Sequence, residues 1–201
     1  MRLLATLESA DPPEPKSIEL YEGDLAAIPA GEEVDLLVVS AFPDSYAPTP
    51  RSLIGALYRK GLSVARLALE KELDLRDELS CWISRDLTRE YPGFGFRRIL
   101  CFEPLFRGRP AEVGDVFQSM MALAMLGDPP VRTIAMPLLA SGEQRADPLI
   151  MLAAIIDAAV QWMDRGLPIS TLKIVERSWG TSATDPLPSI LRLDPDRWGT
   201  S

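Results

Sequence analysis

The chain has 201 residues, 47% apolar and 25% charged. That composition suits one compact domain with an ordinary core and excludes wholesale disorder, a collagen-like repeat and a coiled coil. The formal charge of −8 argues against duplex nucleic acid as a partner, because affinity there comes from cations that neutralise phosphates. Histidine is absent, which removes Ser-His-Asp and Cys-His nucleophile systems, an HExxH zinc site and an imidazole base.

Any chemistry must therefore use carboxylates, backbone dipoles or water. Cys81 and Cys101 each sit in a short apolar stretch without CxxC spacing, so neither a zinc cluster nor a disulfide framework is indicated and both read as structural thiols. No metal and no cofactor are expected. The longest apolar helical run, 149 to 156, is broken by Asp157, far short of the roughly 20 residues a membrane span needs. The opening MRLLATLESADPPEP is acidic and proline-rich, unlike a secretory signal. A cytoplasmic location without membrane contact is the expectation.

In chain order, Arg2 to Leu7 reads as an edge strand and DPPEP at 11 to 15 as a connector that cannot continue a helix or fill a ladder. The main domain is expected over 17–178, with 1–16 as strand and connector before it and 179–201 as a tail. Ile18, Leu20 and Tyr21 give a short strand that ends at a turn carrying Gly23 and Asp24. VDLLVVSAF, 34 to 42, is a continuous β-favouring apolar run, as expected of a strand covered on both faces at the sheet centre. After the loop DSYAPTPRS, Ser52 caps a helix that Gly61 ends, and Ser63 caps a second helix leading into the charged stretch EKELDLRDE.

Strands follow at Cys81 to Ile83 and Arg98 to Phe102. The PGFG between them, with Gly93 and Gly95, opens no helix, so it reads as a turn rather than a nucleotide cradle. Glu112 to Leu126 is a helix stopped by Gly127 and the Pro129-Pro130 pair, and RTIAMP supplies the next buried strand. Asp147, Pro148 and Gly166 frame a helix over 148–165, with Asp157, Gln161 and Asp164 facing water and Leu149, Leu152, Ala153, Ile156, Val160 and Met163 packing on the sheet. TLKIV is the last strand, and Trp198 is among the residues able to dock the tail.

Strands alternating with helices specify a three-layer α/β/α sandwich around a mixed sheet. Such sheets gather ligands at the carboxyl ends of their strands. Two loops matter most there, one after Phe42 and one after Pro137. The second, PLLASGEQRADP, leaves a strand and enters the Asp147-capped helix, so its amides either surround an anion or merely make a plain connection in which Gly142 supplies positive φ.

The ordered set IELYEGDLAAI, VDLLVVSAF, TIAMP, SGEQRADP, the long helix and TLKIV resembles the macro domains, which bind ADP-ribose and related NAD-derived nucleotides. The likeness covers roughly residues 17 to 176. By that resemblance Asp24 accepts a hydrogen bond from the adenine amino group. Leu25, Ala41, Phe42, Gly61, Ser63 and the loop Ser141, Gly142, Glu143, Gln144 and Arg145 would contact the rest of the ligand. By its own chemistry Arg145 either pairs with a phosphate or stands solvated beside Glu143 or Asp147. The chain departs from the family's hydrolases: VSAFPD contains no asparagine, and no run of glycines follows it.

Three functions follow as expectations. The first is a sensor or regulatory binder of ADP-ribose or a related nucleotide, without hydrolase activity. The second is an ADP-ribosyl or O-acyl-ADP-ribose hydrolase that uses Asp44 or Asp24 to position water. The third is a ligand-free interaction module whose cleft is filled by the insertion at 43 to 63, with Tyr46, Leu53 or Tyr58 across the strand ends.

Overall fold

The computed structural model describes residues 1–9, 14–105, 110–126, 130–139, 147–177 and 198–200. The strands are β1 (Arg2–Ser9), β2 (Ser17–Glu22), β3 (Val34–Ser40), β4 (Lys71–Leu75), β5 (Cys81–Ser84), β6 (Phe96–Phe102), β7 (Thr133–Pro137), β8 (Thr171–Glu176) and β9 (Trp198–Thr200). They form one sheet in the order β4-β5-β6-β3-β7-β8-β2-β1-β9. The five strands from β6 to β2 run parallel, and antiparallel strands flank them on both sides.

Strand alternation divides the core into two layers. Leu36 and Val38 of β3 join Leu100, Ile134, Met136, Leu172 and Ile174 under helices α4 (Val113–Met125) and α5 (Pro148–Asp164). Leu37 and Val39 join Ile99, Cys101, Ala135 and Trp82 under α1 (Leu53–Arg59), α2 (Val64–Leu67) and the 3-10 turn Leu25–Ala27. Both faces of β3 are thus dry, as its unbroken apolar run requires. The three-layer α/β/α sandwich is confirmed, and among the described residues no helix is long and apolar enough to cross a membrane.

The helix ends follow their signals. Asp147 accepts from the amides of Leu149 and Ile150, with Pro148 in the first turn, and Gly166 takes φ +95° just past the end, the left-handed conformation glycine adopts at low cost. The apolar stripe of α5 is rotated from the expected one: Met151, Ile155 and Ala159 join Leu152, Ile156 and Met163 inside, while Leu149 is exposed. So wide a band of apolar residues leaves the rotation of the helix to its neighbours.

One expectation is corrected: β1 is not an edge, because β9 pairs with its outer side and places Trp198 in the core. The charged stretch after α2, which carried no expected element, holds the edge strand β4 at Lys71–Leu75, followed by the single turn α3 (Arg76–Leu79). Its Lys and acidic residues suit an exposed sheet edge, which charge protects from pairing with other chains. The rest of the tail, 178–197, lies outside the described residues.

Candidate functional site at the carboxyl ends of the parallel strands

All five parallel strands end on one edge of the sheet, so the residues that follow them form a row. Sheet order places Glu103 after β6, Ala41 and Phe42 after β3, Leu138 after β7, Arg177 after β8 and Gly23 and Asp24 after β2. From β2 to β3 is three inter-strand steps, about 14 Å, a span suited to an extended dinucleotide.

At one end of the row, Asp24 caps the 3-10 turn: its Oδ1 accepts from the amide of Ala26 at 3.0 Å. Arg177 Nη2 lies 3.6 Å from the same oxygen. The other oxygen, Oδ2, has no hydrogen bond among the described residues and faces no competing acceptor obligation, so it can receive an exocyclic amine. The Leu25 side chain is buried in the α1-side core, which leaves only its main chain for a ligand.

In the middle of the row, the amide of Ala41 is committed to the Phe102 carbonyl at 2.9 Å. Phe42, Pro43, Asp44 and Ser45 then form a turn closed by Ser45 N donating to Phe42 O at 2.9 Å. Asp44 has φ +55°, a left-handed conformation that short polar side chains tolerate better than most. Its carboxylate, 83% exposed, pairs with Arg76 Nη1 at 2.7 Å.

Glu103 was not legible as a site residue. It is 4% exposed, and a carboxylate so buried must be well supplied with donors. Tyr46 Oη donates to its Oε1 at 2.5 Å, Trp82 Nε1 to the same oxygen at 2.6 Å, and the amide of Asp44 to Oε2 at 3.1 Å. Tyr46 also meets Trp82 edge-on, ring centres 5.9 Å apart. Burial, and then the hydrogen bond to Glu103, hold the Tyr46 phenol above its ordinary pKa. Trp82 belongs to β5, whereas Tyr46 and Asp44 belong to the segment that leaves β3; all three meet Glu103 just after β6, on the side of β3 away from β7.

Of the remaining expected residues, Gly61 and Ser63 stand apart. Gly61 ends α1 with φ +95° and Ser63 caps α2 by accepting from Arg66 N at 3.3 Å. They lie beyond the C-terminal end of α1, one seven-residue helix, about 10 Å, from its Ser52 end. Leu53 packs into the α1-side core, and Tyr58 is exposed. Ser141, Gly142, Glu143, Gln144 and Arg145 lie outside the described residues. Among the described residues no cluster of side chains could hold a metal ion.

The chain has the macrodomain fold: the Trypanosoma brucei macrodomain in complex with ADP superimposes with TM-score 0.61 at 15% identity, over 83% of this chain and 66% of that one. The same macrodomain in complex with ADP-ribose gives 0.55 at 16% identity, over 80% of this chain and 64% of that one. A mutant of the Oceanobacillus iheyensis macrodomain gives 0.61 at 14% identity, over 89% of this chain and 88% of that one. The chain thus spans about two thirds of the length of the Trypanosoma structures. No protein-family model matches the chain, and no curated protein matches it.

Proposed function

We propose that the protein binds ADP-ribose or a related NAD-derived nucleotide across the carboxyl ends of its parallel strands, as a sensor or regulatory binder without hydrolase activity. The observation that carries this reading is the placement of Asp24 and Arg177 together at the β2 and β8 ends. A carboxylate oxygen for an adenine amine stands there beside a cation for a phosphate. Macrodomain structures of the same fold, in complex with ADP and with ADP-ribose, support the ligand class. In this reading Ala41, Phe42 and the main chain of Leu25 line the row, and the loop 141–145, with Arg145, takes the pyrophosphate. Gly61 and Ser63 act through the helix ends they form. The two buried free thiols fit a cytoplasmic setting.

Two placements favour a binder over the other readings. The Asp44 carboxylate is engaged by Arg76 on the β6 side, which argues against its use as a base on a ribose-bound water. Tyr46 is held by Glu103 and Trp82 on that same side, which argues against its filling the row between β3 and β2.

A melting screen with ADP-ribose, ADP and NAD tests the reading. A ligand of the folded state adds about 2.7 kcal/mol of apparent stability at a hundredfold excess over its dissociation constant. ADP-ribose is expected to raise the melting temperature in a concentration-dependent way. No shift with any of the three would overturn the proposal.

A further inference from the structure

We infer that Glu103 is a positioning residue that fixes the turn after β3 and thereby sets selectivity for the ribose-bearing end of the ligand. The inference rests on the nucleotide-binding reading above and goes beyond it by assigning a specificity role to a residue that contacts no ligand.

A carboxylate buried to 4% exposure is expensive, and an apolar side chain of similar size would often be as stable. This one is directed at a single loop: two of its three donors, Tyr46 Oη and the Asp44 amide, come from the segment that leaves β3, and only Trp82 belongs to the sheet. The turn it grips is not intrinsically favoured, since Asp44 occupies a left-handed conformation that an L-residue adopts at a cost. Arg76 adds a second hold through the Asp44 carboxylate and is itself held by Asp74 at 2.8 Å.

The consequence lies on the other side of the turn. Phe42 is half-buried and Ser45 exposed, and both belong to the turn whose shape Glu103 fixes. Asp24 and Arg177 sit at the opposite end, at the ends of β2 and β8. A ligand with its adenine at Asp24 would bring its far end to Phe42 and Ser45. ADP ends at its second phosphate, whereas ADP-ribose carries one more ribose. Loosening the turn should therefore weaken ADP-ribose and spare ADP.

The test compares wild type with Glu103→Gln, which keeps size but sets an amide NH2 against one group of donors, and with Tyr46→Phe, which removes one donor and keeps the ring. Two quantities are read: calorimetric affinities for ADP-ribose and for ADP, and amide hydrogen exchange in the ligand-free proteins. The expected result is a loss of about tenfold in ADP-ribose affinity for E103Q, a smaller loss for Y46F, unchanged ADP affinity, and faster exchange confined to residues 42–46. Equal losses for both nucleotides, no loss for either, or unchanged exchange at Asp44 would overturn the inference while leaving the binding proposal intact. Wild type that binds neither nucleotide would overturn the binding proposal and the selectivity role with it, whatever the exchange data show about the turn.

Discussion

Asp24 and Arg177 leave neighbouring parallel strands at the same edge of the sheet and meet there at 3.6 Å. The pair is about half exposed, so it contributes little to stability by itself. In the proposed reading the pair offers a carboxylate to a nucleotide's base and a guanidinium to its phosphate.

Replacing Asp24 separates its two roles. Asp24→Ala removes both the cap of the 3-10 turn and the proposed adenine contact. It should cost about 1 kcal/mol of stability and tenfold or more in ADP-ribose affinity. Asp24→Ser retains a capping oxygen, so stability should return while binding stays weak. Arg177→Ala should change stability by less than about 0.5 kcal/mol and flatten the salt dependence of binding. Urea denaturation and titration at two salt concentrations check all three.

Two helical glycines should respond in opposite directions. A Cβ on Gly55 would lie 1.8 Å from the Thr49 carbonyl oxygen, because the loop after β3 crosses α1 backbone to backbone. Gly55→Ala is expected to destabilise by several kcal/mol, at least about 2. Around Gly114 nothing lies within 4 Å of such an atom, so Gly114→Ala should stabilise by about 0.5–1 kcal/mol. Thermal melts of the two variants decide it.

Acid and base limbs of the stability curve should carry separate signatures. Burial, and then the neighbouring Glu112, push the Asp115 carboxyl above its ordinary pKa. A raised folded-state value means that its favourable contribution is present below the unfolded pKa, about 4, and is lost as pH rises through the folded value. For Asp74 the hydrogen bond from Arg76 lowers the pKa against the opposing effect of burial. Its contribution is present above the unfolded value and lost as pH falls through the folded one. Asp115→Asn should therefore gain stability over wild type at neutral pH and lose that gain in acid. Asp74→Asn should lose stability at neutral pH and converge on wild type in acid. Urea denaturation across the pH range reads both.

The thiols should be inert. Burial pushes the Cys81 thiol up to about 12 and that of Cys101 well above its usual value, and the two side chains belong to opposite core layers. Neither should react with a thiol reagent near pH 8 until the protein unfolds; labelling of the native protein at either position would contradict this placement.

What could be read from the residues alone follows from how local each signal is. β3 announced itself because a strand covered twice must be apolar at every position, and Leu36 to Val39 are. The start of α5 was legible because Asp147 and Pro148 act within one turn of themselves. β4 was hidden, since KELDL has the charge of a solvated helix and its strand character comes from pairing with Cys81 to Ser84. The pairing of β9 with β1 joins residues about 190 positions apart and left no local mark.

The site divides in the same way. Asp24 drew attention because IELYEGDLAAI resembles the macro-domain pattern; the turn alone reads equally as an exposed aspartate after a strand of alternating burial. Glu103 drew none: a lone acidic residue after a strand ordinarily reads as solvated, and its partners Tyr46 and Trp82 are 57 and 21 residues away. Its one sequence mark is its place directly behind the buried run ILCF, where a charge needs a reason. Arg177 was equally silent, as a single cation after TLKIVE that gains meaning only when β8 is seen beside β2.

Calorimetric titration of the wild-type protein with ADP-ribose, with Asp24→Ala run in parallel, is the most direct measurement. The account predicts saturable one-to-one binding to wild type and a weakening of tenfold or more in the variant. No heat with wild type, or equal affinity for the two proteins, would contradict a nucleotide lying along this edge with its base at Asp24.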